Sequence, residues 1–141
     1  MEAHDKKHRG ISHRSHSACV ACGDANPAGL KLRFRKQPDG SVAAAVFCRR
    51  EVMGYDGLLH GGVAALMLDS AMTNCLFSLG IAAFTAELNI KYKAPVLIGR
   101  AAEVSGRLVS DMAPLYVMKA ELRQDGNPKV LAEAKFMKNE F

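Results

Sequence analysis

The longest apolar stretch of the chain, residues 61–79, carries a single charged side chain, Asp69. Hydrophobic residues occupy nearly every side of the helix that this stretch predicts, and such a helix is normally buried. Two glycines, Gly61 and Gly62, open it. Because a buried carboxylate is costly unless it is compensated, Asp69 is either satisfied by neighbours such as Thr73 or retained for chemistry.

Alternation of apolar and polar residues predicts strands on both sides of this helix. Before it, residues 30–35 and 42–49 are separated by a Pro-Asp-Gly turn, which predicts a hairpin. After it, strands are predicted at residues 84–93, 100–110, 115–124 and 129–138. We therefore predict an α+β fold in which one long buried helix is wrapped by a curved antiparallel sheet of five or six strands.

The strand at residues 84–93 has the strictest alternation. Its apolar residues, from Phe84 to Tyr92, would line one face, and its polar residues, from Thr85 to Lys93, would line the other. Pro95 would then end the strand or mark a bulge.

The chain has a net charge of +5, and its polar N-terminus holds four of the basic residues, Lys6, Lys7, Arg9 and Arg14. We expect residues 1–18 to be a flexible tail and residues 19–141 to form a single domain. No basic helix or interleaved aromatic stripe indicates a nucleic-acid partner. The positive charge would suit an anionic small molecule.

The segment at residues 63–83 is long enough to suggest a membrane span, but Asp69, Thr73 and Asn74 interrupt it. A buried helix is the better interpretation, and we expect no membrane partner. The N-terminus has no apolar core typical of a secretory signal. We therefore expect a cytoplasmic protein whose four cysteines are reduced.

Three motifs resemble those of a known family. They are a Gly54-Tyr-Asp-Gly57 loop that leads into His60-Gly-Gly-Val, the Leu68-Asp-Ser-Ala-Met72 run of the helix, and the Asn89-Ile-Lys-Tyr-Lys-Ala-Pro95 strand. Together they resemble the hot-dog fold thioesterase superfamily, and in particular the PaaI-type acyl-CoA thioesterases. The opening Cys19-x-x-Cys-Gly-x-x-Asn-Pro-x-Gly-Leu30 run resembles one subgroup of that superfamily. The resemblance spans about residues 19–137 and implies hydrolysis of an acyl-CoA or acyl-carrier-protein thioester.

The resemblance also implies roles for individual residues. The Gly61 N–H, at a helix N-terminus, would stabilise the oxyanion of the reacting thioester. Asp69 would act as general base or nucleophile, Thr85 would help to hold the attacking water, and His60 would orient the loop or contact the thioester. Each residue also has a purely structural explanation. Gly61 would allow tight packing of helix against sheet, and Asp69 would only bond to neighbouring groups. Thr85 would be an ordinary strand residue, and His60 would make a structural hydrogen bond.

Substrate binding is predicted around the same motifs. The candidates are Gly62, Asn89, Lys91, Lys93 and Pro95. Coenzyme A requires cations for its phosphates and an apolar groove for its pantetheine arm. Lys91, Lys93 and Arg100 are candidate cations, although exposure on a strand is the better explanation for any one of them. Several PaaI-type enzymes carry an asparagine where this chain has Gly54, so that this loop supplies no side chain to polarise the carbonyl.

The spacing of the helix residues favours an oligomer. Gly61 and Asp69 are eight residues apart, which corresponds to about 12 Å along a helix. One acyl carbon cannot contact both within one chain, so a second subunit must supply one of them. A two-fold dimer with antiparallel helices would do this, and the resemblance implies homodimers that often pair into homotetramers.

The N-terminal segment contains an even run of candidate metal ligands, His13, His16, Cys19 and Cys22. Nitrogen and sulfur ligands suit zinc. However, ligands at every third position of one short segment do not readily close a tetrahedron, and zinc sites usually use two separated pairs. A lid or packing role for the cysteines is therefore the better prediction, with redox chemistry as a further alternative, and we predict neither a metal nor a cofactor for the reaction.

Two other functions remain open from the sequence. A non-catalytic acyl-CoA-binding sensor or scaffold would share the fold but would have no use for Asp69. A hot-dog hydratase or dehydratase would need a histidine base, for which His60 is the candidate within the domain.

Overall fold

The computed structural model describes residues 16–138 of the 141-residue chain. The long helix α1 spans Gly61–Ser78, and a short 3-10 turn at Arg50–Val52 precedes it. The strands are β1 (Arg35–Lys36), β2 (Val42–Phe47), β3 (Ala83–Tyr92), β4 (Ala101–Met112), β5 (Leu115–Gln124) and β6 (Asn127–Lys138). The predicted tail at residues 1–18 lies outside the described residues, except for residues 16–18, which bond to the turn that follows them.

The six strands form one antiparallel sheet in the order β1-β2-β4-β5-β6-β3. The prediction of one long helix with a six-stranded antiparallel sheet is confirmed, as is the β1–β2 hairpin. β5 and β6 are joined by a tight turn in which Asp125 and Gly126 both have positive φ, the conformation typical of a two-residue hairpin loop. The insertion of α1 between β2 and β3 leaves β3 at the far edge of the sheet.

The predicted strand at residues 30–35 is wrong over most of its length, since β1 is only two residues long. The N–H groups of Leu30 and Leu32 donate to the carbonyls of Val20 and Ala21 in the N-terminal turn. Lys31 has a φ of +54° and breaks the extended conformation. The alternation in this stretch therefore reflects the burial of its side chains against the core, not pairing with a neighbouring strand.

The backbone of α1 rests directly on β4 at Gly106. A Cβ atom at this position would lie 2.7 Å from the carbonyl carbon and oxygen of Ala71 and 2.9 Å from the Met72 nitrogen. Only glycine allows this approach of helix to strand. It presses the buried side of the helix, which includes Met67, Leu68 and Leu76, against the sheet.

The two halves of α1 are buried to different degrees. Every residue from Ser70 to Ser78 is buried, whereas Gly61 and Gly62 are exposed and Asp69 is only partly buried. The N-terminal half of the helix is therefore less completely buried within one chain, because the sheet of this chain covers that half on one side only. Strand β3 is likewise mostly exposed on both faces.

No helix among residues 16–138 is long and apolar enough to cross a membrane.

We expect Gly106→Ala to destabilise the protein, because the added methyl group meets helix backbone that cannot rotate away. The free energy of unfolding should fall by about 1–3 kcal/mol, as for overpacked cores. Urea denaturation would measure the loss. Ser105→Ala, at the neighbouring position of β4, is the control and should change little; equal stability of both variants would contradict the contact.

Candidate active site

The N-terminus of α1 is capped by the residue that precedes it. His60 has extended backbone angles, and its Nδ1 accepts the Gly62 N–H at 2.9 Å. No hydrogen bond within residues 16–138 uses the Gly61 N–H. His60 therefore satisfies one of the free donors of the helix end and leaves the preceding one available to a ligand.

Tyr92, at the end of β3, packs against the same helix end. Its hydroxyl donates to the Gly61 carbonyl at 2.7 Å, and its ring would lie 3.5 Å from a Cβ atom at Gly61. The sequence did not indicate that Tyr92 belongs to the site. The signal was its place in the Asn89-to-Pro95 motif, where alternation indicated only that it belonged to an apolar face.

Asp69 is held by the other end of β3. The Thr85 hydroxyl donates to Asp69 Oδ1 at 2.6 Å, and no second donor to this carboxylate is found among the described residues. Thr73, the hydroxyl neighbour that the sequence offered, donates instead to the Asp69 backbone carbonyl at 3.0 Å. One carboxylate oxygen is thus oriented, while the half-exposed side chain keeps its second oxygen for another partner.

A β-bulge allows Thr85 to contact Asp69 and Tyr92 to contact Gly61. Thr85 and Tyr92 are seven positions apart, so that strict alternation would put them on opposite faces of β3. The pairing of β3 with β6 shifts register between Thr85 and Glu87, which turns the first residues of the strand over. Both side chains then reach α1, one at Asp69 and one at Gly61.

A cavity of about 290 Å³ opens beside Gly61. Tyr92, Lys93 and Pro95 line it together with small and aliphatic residues: Leu59, Ala64, Ala94, Val96 and Val130. The structure therefore brings the predicted binding residues Lys93 and Pro95 to the helix end.

Two other predicted binding residues, Asn89 and Lys91, do not line this cavity. The Asn89 side chain donates to Glu87 Oε1 at 3.2 Å, and Glu87 pairs with Lys135 on β6 at 3.5 Å. Both Asn89 and Lys91 are exposed. Alternation along β3 puts Lys91 on the same face as Asn89, turned away from Tyr92.

Gly54 packs directly behind His60. A Cβ atom at Gly54 would lie 3.1 Å from the His60 Cα and 3.4 Å from its Cβ. A larger residue here would have to displace the capping histidine or the loop. Gly54 therefore lets the loop pack closely against His60, and it offers no side chain to a ligand.

His16 approaches the same helix from the N-terminal segment. Its ring meets Phe77 edge-to-face, with 4.9 Å between the centroids. Burial lowers the pKa of His16, and the nearby negative charge of Asp69 opposes this shift in part. Burial likewise raises the pKa of the neighbouring Cys22 thiol to about 11, against smaller opposing effects of Asn74 and Ser70. Both groups are therefore neutral at pH 7 in the absence of a metal ion.

The family profile described as Thioesterase superfamily matches residues 56–130, just over half of the chain. The chain belongs to the thioesterase superfamily. The matched region begins in the loop before α1 and ends in β6, so that it contains both ends of the candidate site.

Individual relatives agree with this assignment. The bovine acyl-coenzyme A thioesterase THEM4 is 49% identical over 45 residues, which are 32% of this chain and 18% of that protein. The chain thus spans about a fifth of the length of this relative. The PaaI protein from the phenylacetic acid degradation operon of E. coli superimposes with a TM-score of 0.79 at 17% identity and covers 95% of this chain and 94% of its own.

A Streptococcus mutans protein, smu.793, was solved with bound acetyl-CoA. It superimposes with a TM-score of 0.71 at 20% identity, over 77% of this chain and 88% of its own. At these identities the two bacterial structures establish the hot-dog, PaaI-type fold of this thioesterase superfamily member.

We expect the capping bond of His60 to contribute measurably to the stability of this superfamily member. His60→Ala should lower the free energy of unfolding by about 1 kcal/mol, the usual cost of losing a helix N-cap. His60→Asn retains a side-chain acceptor at the cap position and should recover most of that loss. Urea denaturation of the two variants tests this, and equal destabilisation would show that the imidazole does not act as a cap.

Proposed function

We propose that the protein hydrolyses an acyl-CoA or acyl-carrier-protein thioester to a carboxylate and a free thiol. The observation that carries this proposal is the Asp69 carboxylate, which Thr85 holds at 2.6 Å on the incompletely covered half of α1. Support comes from the bovine relative, which is named an acyl-CoA thioesterase, and from the streptococcal structure with acetyl-CoA. A reducing compartment such as the cytoplasm fits the four free cysteines.

In the proposed reaction, Asp69 removes a proton from water as the oxygen attacks the thioester carbonyl. The resulting oxyanion accepts a hydrogen bond from the N–H of Gly61, which lies at the positive end of the helix dipole. Collapse of the tetrahedral intermediate breaks the carbon–sulfur bond, and the thiolate leaves and is protonated. Direct attack by Asp69, through an anhydride that water then hydrolyses, uses the same groups.

Thr85 is a positioning residue in this scheme. Its hydroxyl donates a hydrogen bond to Asp69 Oδ1. The other carboxylate oxygen, Oδ2, is then left to accept the proton of water. The lone pairs of the Thr85 oxygen can accept a hydrogen bond from the same water. The water-holding role that the resemblance implies is thus compatible with orientation of the carboxylate.

The cavity beside Gly61 fits the reacting end of the substrate. Its volume of about 290 Å³ is near the lower limit for small-molecule pockets, and it is too small for a whole coenzyme A. Lys93 at its rim supplies a cation for a phosphate. Asn89 and Lys91, on the outer face of β3, would then serve a ligand that extends past this edge of the sheet.

The proposed unit of function is a homodimer, with pairs of dimers as tetramers. Gly61 and Asp69 are separated by about 12 Å along α1, so that each would act with its counterpart from the other chain. The partly exposed N-terminal half of α1 and the exposed edge strand β3 support this arrangement. An uncovered strand with Phe84, Leu88 and Tyr92 exposed is a surface suited to pairing with a second copy.

Two substitutions separate the proposed roles. Asp69→Asn should reduce kcat by about 10²–10⁴-fold, the usual contribution of a general base. Gly61→Pro should reduce kcat by about 10²–10³-fold, because it deletes the oxyanion donor. Proline is tolerated at the first position of a helix, and the extended His60 backbone suits the residue before a proline. A panel of acyl-CoAs with a thiol-detecting reagent measures the rates.

The control for the glycine is Gly61→Ala, which keeps the N–H and places its Cβ at an ordinary 3.5 Å from the Tyr92 ring. It should retain most of the wild-type rate. Full activity of Asp69→Asn would overturn the role of the carboxylate. A wild-type protein that binds acyl-CoA but hydrolyses none would favour the binding protein over the enzyme.

The hydratase alternative receives less support from the site. It needs His60 as a base, whereas His60 Nδ1 is occupied by the Gly62 N–H. Assay of an enoyl-CoA for water addition would reveal that activity.

A mixed dimer tests the sharing of sites between chains. We expect Asp69→Asn and Gly61→Pro chains, each nearly inactive alone, to regain up to about half of the wild-type activity when they are co-expressed and purified through two different tags. One of the two sites then receives an intact Gly61 from the first chain and an intact Asp69 from the second.

If both groups acted within one chain, every site of the mixed dimer would carry a defect. Its activity would then stay at the level of the parents. Light scattering on the same sample measures the mass of the assembly, and a monomer would contradict the proposed unit.

A further inference from the structure

Three metal-ligating side chains meet at the start of the described chain, and the proposed function does not use them. The ligand atoms of His16, Cys19 and Cys22 all lie within 4.8 Å of one another. We refer to these three residues as the His-Cys-Cys cluster. It lies against α1, where the His16 ring meets Phe77.

The backbone of this segment is folded so that the three side chains converge. The Cys19 N–H donates to the His16 carbonyl at 3.1 Å, and the Gly23 N–H donates to the Cys19 carbonyl at 2.9 Å. A Cβ atom at Gly23 would overlap the Cys19 nitrogen and would lie 2.7 Å from the His16 oxygen. Only glycine fits there, so that the turn brings His16 and Cys19 close to Cys22 without help from a metal.

The interatomic distances match the demands of zinc. In a tetrahedral site with Zn–S of about 2.3 Å and Zn–N of about 2.0–2.1 Å, a sulfur and a nitrogen ligand are about 3.6 Å apart. Cys22 Sγ and His16 Nδ1 are 3.7 Å apart. The remaining pairs of ligand atoms also lie within 4.8 Å of one another.

One backbone group is already directed at a ligand. The Ala21 N–H donates to Cys19 Sγ at 3.4 Å. A backbone N–H that points at a ligand atom fixes the direction of that side chain, as outer groups around metal ligands do. This bond is a second feature, independent of the convergence of the side chains, that suits the turn to a cation.

We propose that His16, Cys19 and Cys22 bind a zinc ion that fastens the N-terminal segment to α1. Two thiolates and an imidazole form a donor set that suits Zn²⁺. Each thiol releases its proton to solvent when the ion binds. Three protein ligands leave the fourth position to water.

Evenly spaced ligands on a regular segment do not readily close a tetrahedron, but the turn from His16 to Gly23 is not regular. Its tight folding brings three of the four candidate ligands together within one segment, without the second, separated pair that most zinc sites use. The proposed ion has a structural role and takes no part in the making or breaking of bonds, so that its failure would leave the proposed function intact.

The test is the metal content of the full chain. The protein, expressed with zinc in the medium, purified under reducing conditions without a histidine tag and dialysed against metal-free buffer, should hold about one zinc per chain by mass spectrometry. Cys19→Ala, Cys22→Ala and His16→Ala should each weaken zinc retention about tenfold or more. Cys48→Ala and Cys75→Ala, which remove buried thiols elsewhere, should retain the ion.

A second measurement keeps the test valid if a variant fails to fold. Replacement of zinc by Co²⁺ in the wild-type protein should produce the thiolate-to-cobalt charge-transfer absorption and the visible bands of a tetrahedral site. A reduced wild-type protein that holds no zinc and gives no such absorption would overturn the proposal. Equal loss of zinc from Cys48→Ala and Cys22→Ala would also overturn it.

Discussion

The contact between the backbone of α1 and Gly106 of β4 determines the geometry of the whole domain. The helix cannot move away from the sheet without opening a void, and it cannot move closer, because a Cβ atom would already lie at 2.7 Å. With α1 fixed at its middle, the two ends of β3 meet it at defined points: Thr85 at Asp69 and Tyr92 at Gly61. The positions of Asp69 and of the Gly61 N–H therefore both depend on the packing of α1 against Gly106.

Most of the secondary structure could be predicted from the sequence, because helix and strand periods are local properties. The bounds of α1 and of β3, β5 and β6 lie within about two residues of the prediction, the usual uncertainty of such boundaries. The failure at residues 30–34 has a long-range cause: Leu30 and Leu32 bond to the N-terminal turn. The role of Gly106 was equally hidden, since nothing near it in the sequence identifies the helix residues that approach it.

The candidate site shows the same division. The sequence indicated Gly61, Asp69 and Thr85 through motifs, but it could not show that Thr85 bonds directly to the carboxylate. That contact depends on the bulge after Thr85, which breaks the alternation on which the strand prediction relied. Tyr92 was missed for the same reason, because two residues seven apart share a face only when one position is inserted. The assembly of His16, Cys19 and Cys22 likewise depends on an irregular turn that no periodicity describes.

The uncovered half of α1 gives the proposed dimer a specific register. Gly61, Ala65 and Asp69 are four residues apart, so that they follow one side of the helix, and none of the three is fully buried. If two such helices lie antiparallel about a two-fold axis at Ala65, Gly61 of each chain stands opposite Asp69 of the other. The small side chains at Gly61 and Ala65 allow the two helices to approach closely. Gly61, Ala65 and Asp69 form the side of α1 that a single chain leaves partly uncovered. In the proposed dimer this side would join the two chains and would also complete each site.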